Sequence, residues 1–414
     1  MRVIGLMSGT SYDAMDAAAC DLELYDGEYE DEGAAEPRLA LTPLGMVSEP
    51  YPPELRAALA EALPPAATTL AEVCRLDTGI GRAFARLAVR ADRELCAGRA
   101  ELIASHGQTV YHWAAGGNVY GTLQIGEPAW IAESTGRPVV SGFRTRDVAA
   151  GGQGAPLVSL VDLMLLRGRP GVPAALNIGG IANVTVVPRA GEPVAFDTGP
   201  GNALIDAAVR RLGGGRLTCD EDGVLAAAGQ VHEGLLARLL ADPYYRLPAP
   251  RTTGKELFHA RYLDSRLAGF EPLPPQDLIA TLTRLTARTV ADALRPLGAT
   301  EVFASGGGVR NPTLMGMLRA ELGRTVLRSS AELGLPAAAK EAYAFAVLGH
   351  LTLHGLPGNA PACTGAAGPR VLGAITPGNR PLRLPATPVT APRALTVRPA
   401  PEGVTASPAH AEGP

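Results

Sequence analysis

The sequence predicts an α/β protein built as two lobes, and three observations carry that prediction. The chain has 414 residues, more than one compact core normally grows to. Strand-like and helix-like segments alternate along most of it, the pattern of sheets covered by helices. An apolar strand, a glycine-rich polar turn and a second apolar strand occur at Val3 to Ala18 and again at Ala174 to Val187. A weak duplication of that kind suits two related lobes facing one another over a ligand.

The elements follow in order. Val3-Ile4-Gly5-Leu6-Met7 reads as a buried strand running into the turn Ser8-Gly9-Thr10-Ser11. Leu55 to Leu63 and Leu70 to Leu95 place apolar residues at helical spacing. Leu102-Ile103-Ala104 is a short strand followed by the polar turn Ser105-His106-Gly107-Gln108-Thr109. Ala174 to Ile178 and Asn183 to Val187 are strands around Gly179-Gly180. Pro193 to Phe196 is a strand that ends at Asp197-Thr198-Gly199-Pro200-Gly201-Asn202, before a helix through Leu212. Glu301 to Ala304 leads into Gly306-Gly307-Gly308 and a helix over Pro312 to Leu322. Glu341 to Leu353 is a late, apolar helix.

Two segments stand outside this alternation. The acidic run Asp26 to Gly33 is expected to be a solvated insertion between two strands. From Arg380 to Pro414 the chain is rich in proline and alanine, with no aromatic residue, and is expected to be a disordered, partly polyproline tail. The expected domains are therefore 1–145, 146–379 and the tail 380–414.

Composition excludes several classes. Lys+Arg 37 against Asp+Glu 41 gives −4, without the clustered positive field that nucleic acids and anionic membranes require. Apolar residues at 46% suffice for a large core. The N-terminal segment is broken by Ser, Thr and Asp and does not read as a signal peptide. No run reaches the ~18 apolar residues of a membrane helix, so a cytoplasmic globular protein is expected. The cysteines Cys20, Cys74, Cys96, Cys219 and Cys363 fit neither a disulfide framework nor a CxxC site and are expected as buried small hydrophobes. Lys255 and Lys340 are the two lysines, and neither ends a G-x-x-x-x-G-K-[ST] motif, so there is no P-loop. No G-x-G-x-x-G occurs either.

The three glycine turns, each after a strand, can surround an anion with backbone N–H groups. Together they suit a nucleotide triphosphate. Asp197, before a Gly-Pro-Gly turn, suits a general base or a metal ligand, and it could equally cap the following helix. His106 and Gln124 lie in polar loops able to hydrogen-bond sugar hydroxyls, although His106 could also be a satisfied loop histidine. Arg144 and Arg146 suggest an anionic substrate, with a surface ion pair to Asp147 as the alternative.

The strings GLMSGTSYDAMD, SHGQTV, TLQIGEPAWIA, FRTRDVAAGGQGAPL, LNIGGIANVT, FDTGPGNALIDA, PRTTGKELF, SGGGVRNPTLM, GLPGNAPACTGA and VLGAITPG resemble, in order and over residues 2 to about 378, the anhydro-N-acetylmuramic acid kinases. The resemblance implies a two-lobed actin-like ATPase fold, a duplicated ribonuclease H-like architecture with ATP in the interlobe cleft. It implies ATP and Mg²⁺ as cofactors and an amino sugar as substrate. It implies phosphorylation of O6 of 1,6-anhydro-N-acetylmuramic acid while water opens the anhydro bridge, in cell-wall sugar recycling. No nucleic-acid or membrane partner is implied, and a homodimer is the one protein assembly left open.

By position, the resemblance gives the first ATP-phosphate loop to Gly9, Thr10, Ser11, Tyr12, Asp13, Ala14, Met15 and Asp16, with Asp13 on the metal through water. Gly179, Gly180, Gly306, Gly307 and Gly308 match the segments flanking the phosphates and adenosine, and Glu341 lies near the nucleotide. Asp197 matches the catalytic aspartate, and Arg144 the arginine that meets the sugar's lactyl carboxylate; His106 and Gln124, read from their polar loops, are the other substrate-side candidates. Relatives usually carry Gly at Ala14, Asp at Gly142, and acidic residues with a Met in place of Pro336 to Lys340. Ala14 would strain the first loop if that position needs positive φ. An ordinary sugar kinase and a weakly catalytic ATP-binding regulator are the competing readings.

Overall fold

The computed structural model describes residues 1–10, 12–28, 35–64, 66–116, 118–214, 217–254 and 257–400. Ser11, Lys255, the core of the acidic run and residues 401–414 lie outside the described residues.

In chain order the strands are β1 (Arg2–Met7), β2 (Ala14–Glu28), β3 (Ala35–Pro50), β4 (Leu102–Ser105), β5 (Gln108–Ala115), β6 (Asn118–Ile125) and β7 (Val139–Ser141). Then come β8 (Pro173–Ile178), β9 (Ile181–Val186), β10 (Val194–Pro200), β11 (Glu301–Ser305), β12 (Val326–Ser329), β13 (Ala374–Thr376) and β14 (Ala394–Val397). The chain divides into two compact units. Unit 1 holds 1–167, 333–335 and the chain from Ala339 onward, and unit 2 holds 168–332 and 336–338.

The sheet of unit 1 has the order β13-β7-β4-β1-β2-β3-β14. Its central strand shows why the sequence folds this way. Side chains alternate across a strand, so Val3 and Met7 enter one apolar cluster while Ile4 and Leu6 enter another. The Lys340–Leu353 helix covers the first face and the Leu70–Cys96 helix covers the second. The latter begins at Thr69, whose hydroxyl accepts the Glu72 N–H at 3.1 Å, a capping arrangement. Gly5 of β1 is required by the first contact: a Cβ there would lie 1.9 Å from the Ala342 carbonyl oxygen.

The sheet of unit 2 has the order β10-β9-β8-β11-β12. Helices Pro275–Leu294 and Pro312–Leu322 pack on it through Val290, Leu294, Leu314 and Leu318. In both units the first three strands form an antiparallel meander; the first then pairs in parallel with β4 or β11, and that strand in parallel with β7 or β12. The five-strand kernels β3-β2-β1-β4-β7 and β10-β9-β8-β11-β12 thus share order and direction. The sequence echo marks the opening hairpin of each.

Four expectations change. The units are not contiguous halves, because the Lys340–Leu353 helix packs on β1, β2 and β4 and returns the late chain to unit 1. The tail expected to be disordered from Arg380 contains β14, paired in parallel with β3 over Arg38 to Leu41. Four residues are too few to show a period, but they satisfy backbone groups that the edge of β3 leaves open. Strand β10 runs on through Asp197 to Pro200 with a bulge between Asp197 and Gly199, instead of stopping at Phe196. Cys20, Cys96 and Cys363 are buried as expected, whereas Cys74 and Cys219 are exposed.

Candidate active site

In unit 1 the parallel neighbours β1 and β4 end at one sheet edge, in the turns Ser8–Asp13 and Ser105–Gly107. Ligands of α/β sheets bind beyond such strand ends. Gln108 ties the two turns together. It is fully buried; its Oε1 accepts from Ser8 Oγ at 2.7 Å and Tyr51 Oη at 3.1 Å, and its Nε2 donates to the Gly9 carbonyl at 3.2 Å. The Tyr12 N–H closes the first turn on the same carbonyl at 3.1 Å.

Tyr12, not Ala14, is left-handed here, with φ 47°. Ala14 already belongs to β2, opposite Pro50, so the strain expected there does not arise. Met15 points into the core and supports the turn from beneath. Thr10 and Asp13 are exposed, and the Asp13 carboxylate pairs with Arg56 at 2.5 Å.

Arg144 is half-buried. Its Nε donates to His106 Nε2 at 3.0 Å and its Nη1 to the Gly154 carbonyl at 2.8 Å. His106 is buried against Phe345, with ring centroids 4.6 Å apart, and its Nδ1 lies 2.8 Å from the Gly107 carbonyl. Accepting at Nε2 leaves the proton on Nδ1. Burial, and then the Arg144 charge, push its pKa well below the usual value. His106 therefore orients Arg144 as a neutral ring.

Asp147 is not the surface partner of an arginine. It is fully buried and accepts from the Gly154 N–H at 2.8 Å, Asn359 Nδ2 at 2.7 Å and Thr364 Oγ1 at 2.7 Å. It fixes the loop that in turn holds Arg144, while Arg146 is exposed. Gln124 donates to Thr122 Oγ1 at 2.8 Å and Thr109 Oγ1 at 3.2 Å.

Glu341 lies in the first turn of the Lys340–Leu353 helix. Burial raises its pKa, Arg144 and Lys340 lower it, and Asp16 and Asp162 raise it again. The structure thus groups Glu341 with Arg144 and Asp16 in unit 1. Lys340 beside it is buried, its Nζ 2.6 Å from Asp162 Oδ1.

In unit 2 the parallel neighbours β8 and β11 end in Gly179-Gly180 and Gly306-Gly307-Gly308. The two turns abut through Ile178. Gly306 has φ +85°, and a Cβ on it would lie 2.5 Å from Asn177 Oδ1 and 2.7 Å from the Ile178 carbonyl oxygen. The Gly179 and Gly180 carbonyls accept from the N–H groups of Asn202 at 2.8 Å and Ala203 at 3.0 Å, which docks this turn on the Ala203–Leu212 helix.

Asp197 does not cap that helix; Asn202 occupies the cap position. Asp197 is buried in β10, and its Oδ2 accepts the Thr253 N–H at 2.8 Å. Its carbonyl accepts from Tyr244 Oη at 2.7 Å and Arg251 Nε at 3.2 Å, and its N–H donates to the Arg251 carbonyl at 3.0 Å. The loop Arg251–Thr253 therefore clasps Asp197 from both ends.

Sequence reasoning assigned no role to Asn359, Thr364, Tyr244, Arg251 or Thr253, and offered Asp147 only as a surface ion-pair partner and Gln108 only as part of a polar turn. Most of them lie inside the quoted strings, but contacts across a separation of 217 residues, as between Thr364 and Asp147, have no local signature. Among the described residues no group of three or more His, Cys, Asp or Glu could hold a metal, and no helix is long and apolar enough to cross a membrane.

A strand order repeated in both units, with glycine turns beyond each parallel pair, defines a duplicated α/β fold of the actin-like ATPase class. Residues 1–378 match the family Anhydro-N-acetylmuramic acid kinase. Proteins named anhydro-N-acetylmuramic acid kinase from Streptomyces avermitilis (68% identity, 93% of this chain and 97% of that protein) and Streptomyces coelicolor (61%, 96% and 99%) are similar. One from Rhodococcus erythropolis is 58% identical, over 96% of this chain and 99% of its own length. The chain belongs to the anhydro-N-acetylmuramic acid kinase family.

Proposed function

We propose that this chain phosphorylates O6 of 1,6-anhydro-N-acetylmuramic acid with ATP while water opens the anhydro bridge, giving N-acetylmuramic acid 6-phosphate and ADP. The reading is carried by the family match over residues 1–378, together with an Asp197 that is buried and clasped at four backbone and side-chain points. Asp197 takes a proton from a water that attacks C1 of the sugar. The C1–O6 bond breaks, and O6 accepts the γ-phosphoryl group as ADP departs. Arg144, held by His106 and the Gly154 carbonyl, binds the lactyl carboxylate as a charge-assisted pair. Gln124, on the β5–β6 hairpin, meets the sugar.

The turns Gly9–Asp13, Gly179-Gly180 and Gly306–Gly308 offer N–H groups to the nucleotide, with Ala14, Met15 and Asp16 forming the strand beneath the first and Glu341 nearby. Mg²⁺ enters as the metal of the nucleotide complex, where it neutralises phosphate charge. Such a metal keeps most of its waters, so one exposed carboxylate fits: Asp13 would meet it through water, giving up Arg56. For an ATP-consuming step on a recycled cell-wall sugar we infer a cytoplasmic location, where ATP is available.

Asp197→Asn keeps shape and hydrogen bonding but cannot take the proton. Turnover should fall by about 10²–10⁴ with both substrates still bound. In isotopically labelled water the label should appear at C1 of the product and not in its phosphate. Label absent from C1, or full activity in the variant, refutes the water-attack step and favours an ordinary sugar kinase.

A further inference from the structure

The β5–β6 hairpin of unit 1 has two unlike faces. Tyr111, Trp113 and Leu123 are exposed on one. Thr109, His112, Thr122 and Gln124 share the other, as their pairing requires: Thr109 opposite Gln124 and His112 opposite Thr122. Strand β6 lies against the Thr145–Ala149 helix that follows Arg144.

The polar face is a closed chain of hydrogen bonds with one loose end. Gln124 Nε2 donates to Thr109 Oγ1 and Thr122 Oγ1. The Thr122 hydroxyl lies 3.2 Å from His112 Nδ1. A hydroxyl has one proton to give; placed on His112 Nδ1, it satisfies Thr122 and leaves the imidazole proton on Nε2. That Nε2 is buried and has no hydrogen-bond partner among the described residues. A buried donor left unpaired is costly, so native proteins keep few without a use. Burial, and then the Arg144 charge, push the His112 pKa down to about 4, so the ring is a neutral donor at neutral pH.

We propose that His112 is a specificity-determining residue whose Nε2–H donates to the same substrate carboxylate that Arg144 binds. The proposal rests on the reading that the sugar's lactyl carboxylate meets Arg144. A guanidinium and a neutral imidazole N–H suit a carboxylate, which has two oxygens to offer and no proton to compete. Thr122 and Gln124 are then positioning residues that fix the tautomer.

The test uses the full chain, with Arg144→Ala, His112→Leu and His112→Gln checked for folding by thermal melt. Steady-state kinetics compare 1,6-anhydro-N-acetylmuramic acid with 1,6-anhydro-N-acetylglucosamine, which lacks the lactyl carboxylate. His112→Leu should raise KM for the carboxylated sugar roughly ten-fold, with kcat and the KM for ATP nearly unchanged. The sugar without the carboxylate should show no such change, and His112→Gln, which retains an N–H donor, should recover most of the loss. An equal rise for both sugars, or no rise for either, overturns the assignment while Arg144→Ala still raises the KM of the carboxylated sugar. An unchanged KM in Arg144→Ala instead sinks the carboxylate reading, and His112 falls with it.

Discussion

Lys340→Met should destabilise unit 1 far more than the loss of a surface lysine. Lys340 and Asp162 each expose 4% of their side chains, with Nζ and Oδ1 2.6 Å apart. At that separation the gross attraction is about 6 kcal/mol for an effective dielectric of about 20, largely offset by desolvation of the two charges. Removing only the cation strips the buried Asp162 charge of that attraction, which costs about 3–5 kcal/mol. At about 2–4 °C per kcal/mol for a unit of this size, the melting temperature should drop by roughly 6–20 °C. Melting followed by calorimetry should show the deficit. The double variant Lys340→Met with Asp162→Leu removes both charges and should recover most of the stability. A single variant within about 1 kcal/mol of the parent, in line with an exposed pair, would refute the reasoning, as would a double variant no better than the single one.

Ending the chain after Asn379 removes β14, in which Ala394 and Leu395 are buried and Tyr25 Oη meets Thr396 Oγ1 at 3.0 Å. We expect a loss of about 2–4 kcal/mol from the lost leucine burial and strand pairing, and aggregation through the bared edge of β3. Leu395→Asp should move the melting temperature the same way, and an unchanged melt in both would show that the strand contributes nothing. His350 gives an acid-side prediction. It is buried with both ring nitrogens unpartnered among the described residues, and burial, then His354 and the N-terminal amine, push its pKa down to about 3. Its folded value lies below the unfolded one of about 6.5, so the unfolded state takes the proton first and stability is lost as pH falls from about 6.5 towards 3. His350→Leu should remove that component, about 3 kcal/mol at pH 4; an unaltered slope of stability against pH would assign the acid loss to other groups.

What was legible in the sequence divides along one physical line. The Leu70–Cys96 helix announces itself because its burial is periodic, and strand β1 and the Lys340–Leu353 helix because they are contiguous apolar runs buried on every side; both signals are local. The duplicated hairpin plan is legible for the same reason, since each copy is a contiguous run. Asp197, Arg144 and the glycine turns could be named because the strings around them are distinctive, although the strings say nothing of what holds those residues.

The supports come from distant parts of the chain. Asp197 depends on Tyr244 and Thr253, Arg144 on His106 and on a loop pinned through Asp147 by Asn359 and Thr364, and the first turn on Gln108. No spacing rule links such residues. Only the strand order brings them together, and strand order is fixed by which apolar faces pair. β14 was missed for the opposite reason: it is local but too short, and its stability comes from the edge it covers. A residue such as His112 is harder still. Its type and position are ordinary, and only the hydrogen bonds of Thr122 and Gln124 around it show that one of its nitrogens is left to meet something else.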